Sequence, residues 1–505
     1  MNANTDELLS ELRTLIANLG RNGGSMSPSV YDTAQILRLY PPQEGVKPAL
    51  DWLQSQQQAD GGWGFPEASY TRDVPTLAAV LALHTYRNMP HAQASRDAGI
   101  DFLRRQAEQW HEIPIDALAS GAEVILPYLL EEAECMGLPF DTGPYENLYS
   151  IRKQKLQKIC TRAITAGTPP AHSWEALRQD VTALEPDPCG TIGLSPAATA
   201  AWLQRARCRP EFAKPVARAR QYLQCAATAT GVNIPGVVPT AWPIPGFEIA
   251  YALYTLLVTG LLTHPGLQDV VDPVVDELCR IMQLTHGVGF DEAFTPDVDD
   301  TAVGVAVLRA TKHPVDPCVI FQFKNGDHFC TFHRELNPSI LANAHALYGL
   351  AETGERYPAV EEFLLKRQTA DGRWLADKWH TSWIYNTLEV ILALKPLGYT
   401  EQIKKALDVV LREQKADGGW GSGDVTTRAE TSYALLILSA LRPCGWLREE
   451  SERALHRGSH WLTKAIHKDE RDERPLWIAK ELFAPYRIDH LYELSALISV
   501  AREGV

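Results

Sequence analysis

The segments QQADGGWG (57–64), QTADGRW (368–374) and QKADGGWG (414–421) share the frame Gln-x-x-Asp-Gly-x-Trp, and this repetition constrains the fold more than any other property of the 505-residue chain. Each copy follows an amphipathic helical pattern (ALDWLQSQ, EEFLLKRQ, LDVVLREQ) and precedes a second one (TLAAVLALHTY, IYNTLEVILAL, SYALLILSAL). The unit is therefore helix, glycine turn, helix. Glycine supplies the backbone freedom that ends the first helix, the Gln amide can bond backbone groups there, and the Trp covers the joint between units. The last two copies lie 46 residues apart, the length of one helical hairpin, and a degenerate copy, QLTHGVGF (283–290), comes before a cluster of acids.

Strand-like alternation is scarce while the 3.6-residue apolar period recurs throughout, so the chain reads as all-α. Such hairpins stack as a solenoid or close into an α/α barrel, and periodicity does not separate the two. With 45% apolar residues the chain can bury two or three domains. The stretch TATGVNIPGVVPTAWPIPGFE (228–248) breaks helices repeatedly and marks a boundary near the middle. A net charge of −14 opposes nucleic acid as a partner, because that affinity rests on neutralising phosphates. Nine scattered cysteines, with no CxxC pair, suggest reduced thiols in a cytoplasmic protein. The N-terminus carries acids where an export signal needs bases, and the apolar run 249–263 is too short to span a bilayer.

The stretch FDEAFTPDVDDTAVGVAVL (290–308) sets Asp297, Asp299 and Asp300 at the mouth of an apolar helix. Pro and Asp suit a helix start on their own account, since they satisfy free N–H groups and the helix dipole. Three carboxyls so close in apolar surroundings also repel one another, which raises the pKa of at least one and keeps a proton bound. A carboxylic acid held neutral in an apolar pocket is a general acid. A carbon–carbon double bond is the substrate that needs such an acid in so dry a site. An alkene is a very weak base, and its carbocation is destroyed by water unless the cavity excludes solvent and offers aromatic faces.

DVDD, the Gln/Trp turns, SVYDTA (29–34), SPAATAAWL (195–203), DKWHTSWIYNT (377–387) and PLWIAK (475–480) together resemble the class II terpene cyclases, chiefly the bacterial diterpene cyclases without a third domain, from about residue 27 to the C-terminus. The resemblance implies two α/α barrels: a γ domain over 27–245, and a β domain over 246–505 that also holds the helix of residues 1–26, with the active site between them. It implies that Asp299 is the proton donor, tuned by Asp297 and Asp300, and that Asn343 hydrogen-bonds the acid. Trp242, Trp379, Trp383, Tyr385 and Tyr433 are the candidate cation-stabilising walls. His380 or water would serve as terminating base. The substrate is expected to be a lipophilic isoprenoid whose head group stays intact. For a geranylgeranyl or farnesyl diphosphate, Lys480 and Arg487 are the candidate head-group ligands, with the basic helix YSIRKQKLQK (149–158) behind them. Plant members carry an acidic EDxxD-type magnesium motif where this chain offers only Glu112 and Asp116, so Mg2+ is expected only if the substrate is a diphosphate. A farnesylated aromatic acid, as in meroterpenoid cyclases, is the alternative substrate. No DDxxD motif is present, so ionisation of a diphosphate is not expected.

Two other readings compete. A prenyltransferase subunit on the same barrel needs Asp/Cys/His zinc ligands and gains nothing from DVDD, and a helical-repeat binding protein would use its aromatics only for packing. Peripheral membrane contact stays open for a lipophilic substrate, although no basic amphipathic helix demands it.

Overall fold

The computed structural model describes residues 2–112, 118–159, 161, 163–333, 335, 337–351, 354–375, 377–446, 449–467 and 474–502. The fold is all-α, with two short two-stranded hairpins among the described residues. Six helices, Pro245–Val258, Val298–Ala310, Ile340–Leu350, Trp383–Leu394, Arg428–Leu441 and Tyr486–Arg502, pack each against the next and the last against the first, closing a ring. They are apolar on nearly every face because neighbours surround them. Outside them lie the amphipathic helices Asn2–Ile16, Gln268–Thr285, Pro358–Lys366, Thr400–Arg412 and Glu449–Ile466. Periodicity left solenoid and barrel open; ring closure makes this an α/α barrel.

A second ring of Val30–Leu39, Asp73–Thr85, Ala122–Cys135, Trp174–Leu177 and Pro196–Ala206 closes in the same way. The apolar cores follow this division. Leu8, Leu12 and Ile16 of the first helix, with Leu19 and Met26 just after it, join a core otherwise built from residues 244–498, even though more than two hundred residues separate them in the chain. Residues 30–242 supply the remaining two clusters, with Ile478 and the partly buried Leu482 as outside contributors.

The repeat works as a two-way staple. Gln57 Nε2 donates to the Gly61 carbonyl of its own turn and to Ser95 O in Ala92–Gln106, the helix that opens the following hairpin, both at 2.8 Å. Gln368 does the same toward Gly372 and Gln402, and Gln414 toward Gly418 and Ala454. The indole N–H of Trp63, Trp374 and Trp420 donates to a carbonyl ten residues earlier, that of Leu53, Leu364 and Val410, at 2.7–2.8 Å. A further partner stands beyond the turn: a threonine hydroxyl accepts from the Trp backbone N–H, Thr76 for Trp63, Thr387 for Trp374 and Thr431 for Trp420. In the degenerate copy Val288 takes the place of Trp, and its N–H donates to Thr301 Oγ1 at 2.9 Å. Thr301 directly follows DVDD. The acid cluster is therefore held in position by the repeat itself.

The Gln and Trp contacts predict unequal costs. Trp420→Ala removes a wholly buried ring and should lower unfolding free energy by about 3–5 kcal/mol. Gln414→Ala leaves two carbonyls without their donor and should cost about 1–3 kcal/mol, with denaturant midpoints as the measurement.

Candidate active site

The N-terminal ends of three inner helices, Pro245–Val258, Val298–Ala310 and Ile340–Leu350, open on a cavity and place Phe247, Tyr251, Asp299, Asp300 and Leu341 in its wall. Its far wall comes from the second ring, through Pro169, His172, Gly193 and Leu194, and the hairpin of Trp477–Ile478 and Leu482–Phe483 fills the seam. Close backbone approach makes the seam tight. Ser120 N donates to Ala479 O and Thr295 N to Gly167 O, each at 2.7 Å. A Cβ on Gly167 would lie 2.0 Å from Ala293 O, so no larger residue fits without separating the walls.

Asp297, Asp299 and Asp300 all line this cavity. Asp297 is the N-cap of its helix and accepts from Asp300 N at 2.8 Å. Burial, with the charges of Asp300 and Asp299 beside it, holds the Asp297 carboxyl well above the usual carboxylate range. Burial likewise pushes Asp300 up to about 8; a hydrogen bond with Asp297 opposes the shift and the charge of Asp299 adds to it. The expected crowding is thus present, and the cluster stores protons at neutral pH.

Asp299 is held differently. Its Oδ1 accepts from His345 Nδ1 at 2.8 Å, while its Oδ2 has no hydrogen-bond partner among the described residues. His345 Nε2 lies 3.3 Å from Glu389 Oε2, which in turn accepts from Tyr254 OH at 2.8 Å. Burial works against charge on the His345 ring, but the hydrogen bonds and charges of Asp299 and Glu389 outweigh it and raise the ring to about 10. With a carboxyl group at each nitrogen, His345 is an imidazolium. Such a partner stabilises the carboxylate that Asp299 becomes on giving up a proton.

Asn343 does not reach the acid. Its Oδ1 accepts from Phe329 N and its Nδ2 donates to Phe329 O and Ser339 O, so it ties down the 324–329 hairpin. Residues two apart on a helix point in nearly opposite directions, and His345, in the same ILANAHAL segment, takes the place expected of Asn343.

The aromatic wall also differs from expectation. Of the five aromatic candidates, Trp379 alone lines the cavity, with its Nε1 donating to Thr331 Oγ1 at 2.8 Å. Tyr385 and Tyr433 form a layer behind Trp477, at 4.9 Å from each other. Trp242 packs on Tyr222 at 5.7 Å, and Trp383 lies under the Arg373 guanidinium. The facing rings are instead Phe247, Tyr251, Phe290, Phe294, Phe332 and Trp477. Phe247 stands 4.8 Å from Tyr251 and 4.9 Å from Phe290, and Trp477 meets both Phe247 and Tyr251 edge-on. Phe247 lies in the helix-breaking stretch 228–248 and Trp477 in PLWIAK, but only ring closure tells a cavity face from a core face.

The head-group candidates are neutralised elsewhere. Lys480 is completely buried and donates to Glu175 Oε1 at 2.9 Å and Ser195 Oγ at 2.6 Å, bridging the two rings. Arg487 donates to Glu248 Oε2 at 2.8 Å and to Arg21 O. Both are structural ion pairs: Lys480 faces a carboxylate across the seam, and Arg487 one on the neighbouring helix of its own ring. In the basic helix, Arg152 and Lys155 are paired with Glu131 and Glu123. Glu112 is exposed, and Asp116 lies outside the described residues. Among the described residues no group of three or more His, Cys, Asp or Glu could hold a metal ion. His380 is buried behind Trp477 at 5.0 Å and accepts from Ser382 N.

Comparison with known proteins agrees with this geometry. The family described as "Squalene-hopene cyclase C-terminal domain" matches residues 335–475. The chain is 42% identical to a (+)-kolavenyl diphosphate synthase from Herpetosiphon aurantiacus over 98% of each chain. The chain belongs to the class II terpene cyclases. It is also 31% identical to a copalyl diphosphate synthase from Streptomyces cyslabdanicus, over 98% of this cyclase and 96% of that one. The solved ent-copalyl diphosphate synthase from Streptomyces platensis superposes with a TM-score of 0.81 at 27% identity, covering 98% of this cyclase and 100% of that chain. Members of this family are isomerase-type enzymes. No helix among the described residues is long and apolar enough to cross a membrane.

The raised carboxyls predict a pH signature in stability. An unfolded aspartate titrates near about 4, whereas folded Asp300 holds its proton to about 8. The folded state therefore loses stability relative to the unfolded chain as pH rises through that window. Asp300→Asn should match wild type near pH 4 and exceed it increasingly toward pH 8, read from denaturant midpoints across pH.

Proposed function

We propose that this cyclase protonates the terminal alkene of a linear prenyl diphosphate, geranylgeranyl diphosphate first, and closes it to a polycyclic, decalin-type product that keeps its diphosphate. The observation that carries the reading is the environment of Asp299, a side chain that lines an apolar cavity, with Oδ1 on an imidazolium and Oδ2 without a hydrogen-bond partner among the described residues. The proton leaves Oδ2 for the alkene carbon, and the resulting carboxylate keeps its hydrogen bond to His345. Asp297 and Asp300 hold protons nearby, which prevents accumulation of three negative charges at one helix mouth. The rings of Phe247, Tyr251, Phe290 and Trp477 then face the migrating cation. Support for a diphosphate head group comes from the relatives, one named a kolavenyl and another a copalyl diphosphate synthase. Magnesium would accompany that diphosphate as its counter-ion.

A farnesylated aromatic acid is the second reading. What favours it is the engagement of Lys480 and Arg487 by carboxylates, which leaves the described lining with His172 as its one basic side chain. Parallel incubations with geranylgeranyl diphosphate, farnesyl diphosphate and farnesylated dihydroxybenzoate, with and without Mg2+, separate the two.

Product formed in D2O should carry one solvent-derived deuterium at the protonated carbon, and unlabelled product would remove the mechanism. Asp299→Asn should fold and lose turnover by about 10^2–10^4-fold or more, since the amide cannot donate a comparable proton. Turnover of the wild-type enzyme should also fall as pH rises past about 8, where the cluster gives up the proton held on Asp300.

A further inference from the structure

We infer that the ring carrying DVDD has a second binding site at its opposite end, a cavity that takes an amphiphile with a hydrocarbon chain and an anionic head group. Five inner helices send residues of their C-terminal halves into this cavity, whose volume of about 610 Å3 is that of a small-molecule site. The helix Pro245–Val258 gives Phe247 and Tyr251 to the active-site cavity but Leu257 and Val258 to this one, and Ile340–Leu350 divides Leu341 and Tyr348 in the same way. The two sites therefore lie at opposite ends of one ring. Gly260, Ser439, Ala440 and Ser499 stand at the last turns, where larger side chains would fill the end of the ring. Leu388 and Leu436 lie six and five residues before the ends of their helices, so the cavity reaches about 8–9 Å inward.

The lining is apolar except at one place. Leu388, Leu392 and Leu436 form a buried floor, with Leu257, Val258 and Trp446 half-buried above it. Hydrocarbon displaces water from such a surface favourably. Lys395 is the one charged side chain on the described lining, and no carboxylate stands beside it there. Its Nζ donates to Ala440 O at 2.6 Å, a carbonyl, so its charge is not neutralised by that bond. Ser439 adjoins this contact in sequence, and Ser499 lies on the neighbouring helix. Both hydroxyls are buried, and neither has a hydrogen-bond partner among the described residues. An oxyanion accepts from an ammonium and from hydroxyls together, which satisfies groups that are costly to leave unpaired.

Helix C-terminal ends carry partial negative charge, which on its own would repel an anion. Basic residues offset it here. Arg309 and Arg502 lie in the last turns of their helices, while Lys395 and Arg442 are the C-caps of theirs. Arg502 donates to Gly260 O at 3.1 Å and Arg442 pairs with Glu452 at 3.0 Å. Lys404 stands 5.8 Å over the Trp446 ring and 3.8 Å from Glu401. Lys395 is thus the cation of this end that faces the cavity.

Cys444, a free and half-buried thiol on the cavity wall, provides a local readout. The full chain is titrated with hexadecanoate below its micelle threshold, and N-ethylmaleimide alkylation of each cysteine is followed by peptide mass spectrometry. Alkylation of Cys444 should slow about tenfold or more at saturation, while the exposed Cys208 and Cys318 react as before. Lys395→Met should fold, by circular dichroism, and raise the half-protecting concentration about tenfold or more, since it removes a charged hydrogen-bond donor. Ala440→Met, which fills the mouth from a half-buried position, should abolish protection. Hexadecyltrimethylammonium, with the same chain and the opposite charge, should not protect. An unchanged Cys444 rate in wild type overturns the inference, as does equal slowing at Cys208 and Cys318, equal protection by the cationic amphiphile, or undiminished protection of folded Lys395→Met. None of these readings requires the cyclase reaction, so failure of the proposed function and failure of this site are told apart.

Discussion

Everything in the site depends on burying three carboxyl groups at the first turn of one apolar helix. Left to themselves they would ionise and open the cavity to water. Burial and the crowding of like charges hold Asp297 and Asp300 above the usual carboxylate range, and two contacts accommodate the charge that remains. Asp297 is tied into the helix start as its cap, and Asp299 shares a hydrogen bond with an imidazolium whose other nitrogen is matched by Glu389. A buried positive ring between two acids offsets charge where solvent cannot. One wall of the cavity therefore stores protons while most of the rest of its lining stays apolar and aromatic.

The repeat and the site are parts of one construction. The Gln and Trp contacts close helical hairpins into a ring, and closing the ring brings the N-terminal ends of the inner helices together. The threonine that anchors each turn falls directly after DVDD in the degenerate copy, so the element that stabilises the barrel also sets the height of the acids. Lys480 shows the same economy at the seam between rings. A cation that looks available in sequence is spent on holding Glu175 and Ser195 at the junction.

Helix identity, the repeat, the acid cluster and the demand for a dry aromatic cavity were legible in the chain, because each rests on local spacing or on charge beside apolar residues. The misreadings share one cause. Asn343 and His345 are two residues apart, and which of them meets Asp299 depends on how the Ile340–Leu350 helix is rotated against its neighbour. Trp383, Tyr385 and Tyr433 have the composition of a cavity wall but the position of a second layer. His172 carries no motif at all and acquires its place only because Gly193, twenty-one residues later, closes onto it.

What the sequence determined by itself was a set of helical hairpins with an acid cluster at one helix mouth, since helical period, glycine turns and carboxyl repulsion act over a few residues. Tertiary structure alone decided which side chains face the cavity, which nitrogen supports the acid and which cations are already neutralised. Those outcomes depend on groups hundreds of positions apart, 305 between Glu175 and Lys480, and no local pattern encodes a pairing that exists only after two rings meet.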